Sequence, residues 1–157
     1  MDDVGIIYTG RINSCMAYRG KFRPKNPEKY KHGQAGEIPV YRSLWEWKLC
    51  KYCDQNPDIV EWSVEPFAIP YFSPVDGKMH RYFPDFFVRN ANGKTFIIEV
   101  KPDAQTRAPK YKATPKTQVP TRRFLTEQKN FAVNKAKWAA AIEFCKGIDA
   151  EFKIMTE

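Results

Sequence analysis

Asn90-Ala91-Asn92-Gly93 separates two runs of β-forming residues, and a turn at that point dictates how the flanking chain must pair. Met79 to Val88 is rich in Tyr, Phe and Val, and Thr95 to Lys101 reads Thr-Phe-Ile-Ile-Glu-Val-Lys. Both runs read as strands, and the Asn/Gly turn joins them as an antiparallel hairpin. Pairing Arg89 with Thr95 across the turn places Asp85 opposite Glu99. Directly opposed residues hold their Cβ atoms roughly 4.5–5.5 Å apart, close enough to share one cation. Strand alternation puts Glu99 and Lys101 on one face and Ile98 and Val100 on the other.

Two carboxylates and a lysine converging on one face suit the hydrolysis of a phosphodiester. That reaction uses a divalent cation held by hard oxygen ligands. It also needs an activated water and positive charge near phosphorus, which a metal and a lysine supply. The plain alternative is an ordinary polar strand face. Against it, two directly opposed carboxylates repel each other unless a cation or proton lies between them.

The charge balance names the class of partner. Over 157 residues the formal net charge is +8, with 43% hydrophobic and 15% aromatic residues. A chain of this size and composition is expected to fold as one domain with a real core, and its positive charge points to nucleic acid. No apolar run approaches the length of about eighteen residues needed to span a membrane. The start Met1-Asp2-Asp3-Val4-Gly5 has no apolar signal core, so secretion is not expected. Cys50-Lys51-Tyr52-Cys53 lacks the second pair or spaced histidines of a zinc site, and reads as two small residues on neighbouring helical turns.

The remaining elements follow in order. Residues 1–40 form a basic N-terminal arm and 41–157 the globular part. Between Tyr18 and Gly36, Arg19, Lys21, Arg23, Lys25, Lys29 and Lys31 face a single acid, Glu28, with Tyr18, Phe22 and Tyr30 interleaved. Three readings stay open: an arm whose cations meet phosphates and whose aromatics stack on bases, a solvated tail, or an extension laid against the core by its aromatics. Ser43 caps a helix over Leu44–Gln55, whose apolar positions are Leu44, Trp45, Leu49, Tyr52 and Cys53. Glu46, three residues after Ser43, completes a capping box or else delivers a carboxylate to the site. Strands are expected over Ile59–Val64 and Phe67–Phe72, then a turn at Ser73–Gly77, then the hairpin. Pro102–Arg123 is a proline- and lysine-rich loop emerging directly after Lys101. Its Lys110, Lys112, Arg122 and Arg123 are placed to grip a phosphate backbone. A helix over Leu125–Lys146 and a strand over Glu151–Thr156 close the chain.

The order helix, three strands, helix, strand, with Pro84-Asp85, Glu99 and Lys101 on the middle hairpin, resembles the restriction-endonuclease-like, or PD-(D/E)xK, nuclease superfamily. Ser43-Leu44-Trp45-Glu46, Asn56-Pro57-Asp58-Ile59-Val60-Glu61-Trp62, Tyr82-Phe83-Pro84-Asp85-Phe86, Glu99-Val100-Lys101-Pro102 and Asn134-Lys135-Ala136-Lys137-Trp138 resemble the head completion nucleases of T-even-type bacteriophages. More distantly they are similar to the transposon-end endonuclease subunits of heteromeric transposases. The resemblance implies an α/β fold with a mixed β-sheet flanked by helices. It implies a magnesium-dependent DNA nuclease in which Asp85, Glu99, the Val100 carbonyl and Glu46 hold the metal and Lys101 serves the attacking water. Manganese is expected to substitute, since the donor set is oxygen only. Arg81 and Lys135 are further candidate phosphate contacts. The resemblance also implies work in the host cytoplasm and at the virion head–tail junction, with phage head and neck proteins as partners. There, DNA protruding from a filled head is trimmed before tail attachment. Two rivals remain: an inactive DNA-binding plug on the same fold, and a subunit that cleaves only with a partner protein.

Overall fold

The expected hairpin forms the middle of the sheet. The computed structural model describes residues 18–34, 36–111 and 119–156. In it β6 (Phe86–Asn90) pairs antiparallel with β7 (Thr95–Val100) in the register Arg89 to Thr95 and Phe86 to Ile98. β3 (Ile59–Val64) adds antiparallel to β6, and β8 (Ala150–Met155) adds parallel to β7. The result is a mixed four-stranded sheet in the order β3-β6-β7-β8. Among the described residues the two α-helices are α1 (Leu44–Gln55), preceding β3, and α2 (Arg122–Gly147), part of the crossover that a parallel β7–β8 pair requires. Counting the sheet strands alone, the order is α-β-β-β-α-β, an α/β arrangement of the restriction-endonuclease-like kind.

A second ribbon interrupts that order. β4 (Ile69–Phe72) pairs with β5 (Met79–Tyr82), Ile69 opposite Tyr82, around the turn containing Gly77 at φ +64. The expected single strand Met79–Val88 is therefore two strands. Pro84 divides them: it has no N–H for a ladder and fixes its own φ. The chain swings there, so Tyr82 belongs to the ribbon and Phe86 to the sheet. The strand expected over Phe67–Phe72 is shortened to Ile69–Phe72, with exposed Pro70 on a ribbon strand that has only one neighbour.

Both faces of the sheet are covered. On one, Trp62, Val64, Phe86, Val88 and Ile98 pack with Leu49, Cys50 and Cys53 of α1. On the other, Ile69, Tyr71 and Tyr82 of the ribbon pack with Ala141 of α2. Cys50 and Cys53 are fully buried free thiols. The inward stripe of α1 differs from expectation. Leu44, Trp45 and Tyr52 are exposed, at 41%, 41% and 58%, and Asp54 turns inward instead.

Asp54 explains the N-terminal segment. Its carboxylate accepts the backbone N–H groups of Lys25 and Asn26, both at 2.9 Å, and its carbonyl accepts the Asn26 amide at 2.8 Å. The Lys29 ammonium donates to the carbonyls of Asp54 and Asn56, neutralising the C-terminal end of α1. Tyr30 is buried against Trp62, ring centroids 4.9 Å apart. Gly33 lies so close to β3 that a Cβ there would run into the Val64 carbonyl. From Tyr18 to Gln34 the segment is thus laid against the core rather than a solvated tail. Its β1 (Gly20–Lys21) pairs with β2 (Val40–Tyr41). Arg19, Lys21, Arg23, Lys25 and Lys31 keep their side chains at the surface. Asp54→Ala is expected to lower stability by roughly 2–4 kcal/mol, because buried N–H donors lose a charged acceptor. Urea unfolding measures the loss, and limited proteolysis should then cut first between residues 18 and 34. Unchanged stability would refute this anchoring role.

α2 starts at Arg122 rather than the expected Leu125, because Thr121 caps it by accepting the Phe124 N–H at 3.2 Å. The 102–123 loop is correspondingly shorter and carries a 3-10 turn at Asp103–Gln105. No described helix is long and apolar enough to cross a membrane.

Candidate active site

Because Phe86 pairs with Ile98, the preceding Asp85 comes to the end of β7 beside Glu99. Asp85 Oδ2 accepts the Val100 N–H at 2.7 Å, and the Asp85 carbonyl accepts the Glu65 N–H at 2.9 Å. The break at Pro84 therefore sets this geometry. It frees Asp85 from a regular ladder and aims its carboxylate across the end of β7. Glu99 is buried, at 3% exposure. Lys101 Nζ lies 2.9 Å from Glu99 Oε1, and the Tyr82 hydroxyl donates to Oε2 at 2.5 Å.

The electrostatics show what this arrangement lacks. Burial, then the charge of Glu99, pushes the Asp85 carboxyl up to about 7, although the Val100 N–H works the other way. Burial works against the Lys101 ammonium, but Glu99, Asp85 and Glu46 together hold its pKa above the ordinary lysine value. Burial and then Glu99's charge hold the Tyr82 phenol far above its ordinary value. Lys101 thus stands against a buried and a partly buried acid, and the Asp85 carboxylate is still disfavoured by burial and by its neighbour Glu99. The side-chain donors that meet here are oxygens, the Asp85 and Glu99 carboxylates. Such a set fits a hard divalent cation that completes its shell with water and phosphate oxygens. Tyr82→Phe, which removes the donor to Glu99 Oε2, is expected to cost about 1–3 kcal/mol. Denaturant unfolding at fixed pH checks this; no change would mean the bond contributes nothing net.

Glu46 stands apart from the pair. Its Oε2 accepts the Arg42 N–H at 2.7 Å, its Oε1 the Ser43 hydroxyl at 3.1 Å, and its own N–H donates to Ser43 Oγ. That is the capping reading, with the carboxylate reaching one residue further back than a standard capping box. Among the described residues no three His, Cys, Asp or Glu side chains meet as a ligand cluster. Glu46 is still near enough for its charge to raise Asp85.

The residues expected to touch DNA are dispersed. Arg81 is exposed and precedes Tyr82, so alternation points it away from Glu99. Arg122 and Arg123 are exposed in the first turn of α2, Arg123 paired with Glu127 at 2.8 Å. Lys110 is exposed, and Lys112 lies outside the described residues. Lys135 is exposed on α2, 6.0 Å from the Phe131 ring centroid and turned from the site. Its neighbour Lys137 occupies the position sequence reasoning assigned to no role. The Lys137 ammonium sits 5.7 and 5.8 Å from the ring centroids of Tyr71 and Tyr82. Burial, then the charge of Lys101, pulls its pKa down. Helical phase carried the signal: Lys137 shares a stripe with Val133 and buried Ala141, whereas Lys135 does not. Arg42 was also missed. It makes two bonds to Glu65, at 2.6 and 3.3 Å, where Glu65 adopts a left-handed φ of +46.

Residues 56–157 match the family described as TnsA-like endonuclease N terminal. The chain is also similar to the Head completion nuclease of Enterobacteria phage T4, with 39% identity over 142 residues, 90% of this chain and 93% of that one.

Proposed function

The chain belongs to the TnsA-like endonuclease family, and from that premise we propose that it is a magnesium-dependent deoxyribonuclease hydrolysing phosphodiester bonds. The observation that carries this reading is the meeting of Asp85, Glu99 and Lys101 at the ends of two neighbouring strands, where burial and Glu99 push the Asp85 carboxyl up to about 7. In this proposal the Asp85 and Glu99 carboxylates and the Val100 carbonyl hold Mg²⁺. Mn²⁺ substitutes, because the donors are hard oxygens. The bound ion supplies a Lewis acid for the phosphate and lowers the pKa of a coordinated water. Glu46 joins through an intervening water, since its own oxygens serve the α1 cap.

Lys101 is the residue aimed at the reaction. Its raised pKa keeps it an ammonium in the resting site. It therefore orients the attacking water as a donor and stabilises charge developing on the phosphate, rather than removing the proton in that form. Tyr82 fixes the Glu99 carboxylate by holding one oxygen, so the carboxylate does not rotate.

The relative's name and the extent of the similarity support a finer reading. The enzyme trims DNA protruding from a packaged phage head before the tail joins, in the host cytoplasm and at the head–tail junction. It acts there with head and neck proteins. The direct test is conversion of supercoiled plasmid to nicked and linear forms with Mg²⁺, with chelator and with Asp85→Asn. Cleavage that needs the metal and the wild-type residue supports the nuclease. Binding with no cleavage under any cation favours the inactive plug.

A further inference from the structure

The second half of α2 builds the core, through Trp138, Ala141 and Cys145. The first half does not: from Arg122 to Asn130 only Phe124 is even partly covered. Helix in excess of what packing needs calls for another explanation. Arg123, Glu127, Asn130, Asn134 and Lys137 fall at spacings of four, three, four and three, which is one face of a helix. At about 1.5 Å per residue the stripe runs roughly 21 Å. It forms one wall of an open cleft of about 570 Å³ whose other wall is the 104–109 segment after Lys101. The stripe ends at Lys137, in the electrostatic reach of Lys101, Glu99 and Asp85.

The lining is unlike that of a simple phosphate patch. Its two arginines are already engaged, Arg107 with Asp103 at 2.8 Å and Arg123 with Glu127 at 2.8 Å. What it offers instead are the amides of Gln105, Asn130 and Asn134 and the side chain of Phe131. Amides bond Watson–Crick edges and an aromatic face stacks on base planes; a duplex uses the first in pairing and buries the second in its stack, and a single strand exposes both. At the inner end Lys137 adds a second half-buried ammonium close to Lys101. Glu99 and Asp85 lie within reach of the same ammonium, so two cations and two acids share the inner end, and a phosphate there draws on both cations.

We propose that the cleft between α2 and the 104–109 segment is the channel for one unpaired DNA strand, with Lys137 holding the phosphate next to the one cleaved. This rests on the nuclease reading for its location and sets the substrate as DNA carrying a single-stranded portion. Asn130 and Asn134 contact the following bases, and Phe131 supplies a stacking surface.

The test measures binding in an Asp85→Asn background, by fluorescence anisotropy, with a duplex bearing a single-stranded overhang and a blunt duplex of equal length. The overhang substrate should bind about tenfold tighter. Asn130→Ala combined with Asn134→Ala should erase that preference and leave blunt-duplex binding within about twofold, in line with single-strand contacts of this kind. Lys137→Gln should lessen the slope of log affinity against log salt by about 0.7, the value for one phosphate of a single strand. Lys129→Gln, on α2 but outside the cleft, should change neither. Equal affinity for the two substrates, or a double variant that keeps the preference, overturns the channel. Because cleavage plays no part in the readout, these results stand apart from the plasmid assay: a failed channel leaves nicking intact, and absent nicking leaves the binding preference measurable.

Discussion

Asp85→Asn is expected to lower DNA cleavage by roughly a thousandfold or more, about 4 kcal/mol of barrier, while making the metal-free protein more stable. The two effects have one cause. Burial and Glu99 push the Asp85 carboxyl up to about 7, well above the ordinary aspartate range. A folded-state pKa above the unfolded one means the native protein holds a proton that the unfolded chain releases. Stability is then greatest below about pH 4, falls as pH rises towards about 7, and stays at the lower level beyond. An amide at this position keeps an oxygen for the Val100 N–H and carries no charge, so the variant should lack that decline. Thermal unfolding across pH measures it. At pH 8, above the Asp85 value of about 7, adding Mg²⁺ should raise the wild-type midpoint through ligand linkage and leave the variant's nearly unmoved. Retained cleavage would remove Asp85 from the chemistry. A variant less stable than wild type at pH 8 would show that its carboxylate is already compensated.

Lys101→Ala should reduce the cleavage rate by about 10²–10⁴, the range for a group acting on the transition state. DNA affinity should change little. It also leaves Glu99 without its ion pair at 2.9 Å, so a loss of stability accompanies the loss of rate. Lys101→Arg separates the two. The guanidinium keeps a charge for Glu99 and should restore stability. Its planar fork replaces a compact ammonium whose position decides where the water sits, so the rate should remain well below wild type. Single-turnover kinetics with saturating enzyme give the rate, and urea unfolding gives the stability. A fully active arginine variant would reduce Lys101 to a source of charge; an alanine variant that cleaves normally would exclude it.

The parts of the site that could be read in advance are those whose causes are local. A turn rich in Asn and Gly, and alternation over seven residues, were enough to place Asp85 beside Glu99 with Lys101 on the same face. The start of α1 was legible for the same reason, since Ser43 and Glu46 are one turn apart. The errors also had physical origins. Met79–Val88 was read as a single strand because β propensity runs through it, and Pro84 outweighs propensity by removing a donor and bending the chain. Helix periodicity was counted from the apolar residues after Leu125, so the cap at Thr121 was passed over. On α1, Trp45 and Tyr52 were read as inward because they are aromatic. Asp54 competes for the interior by receiving two backbone donors some thirty residues away.

Register, alternation and helix phase arise from forces between residues a few positions apart, so the primary chain carries them openly. They were sufficient for the acid pair, the lysine and the order of the elements along the chain. Which distant side chain completes each of those groups is another matter. Tyr82 reaches Glu99 only because a ribbon folds over the sheet, Lys137 arrives from a helix beyond a long loop, and Tyr30 enters the core beside Trp62. Such choices follow from many weak contacts satisfied at once in a packed interior, and no local pattern encodes the winner.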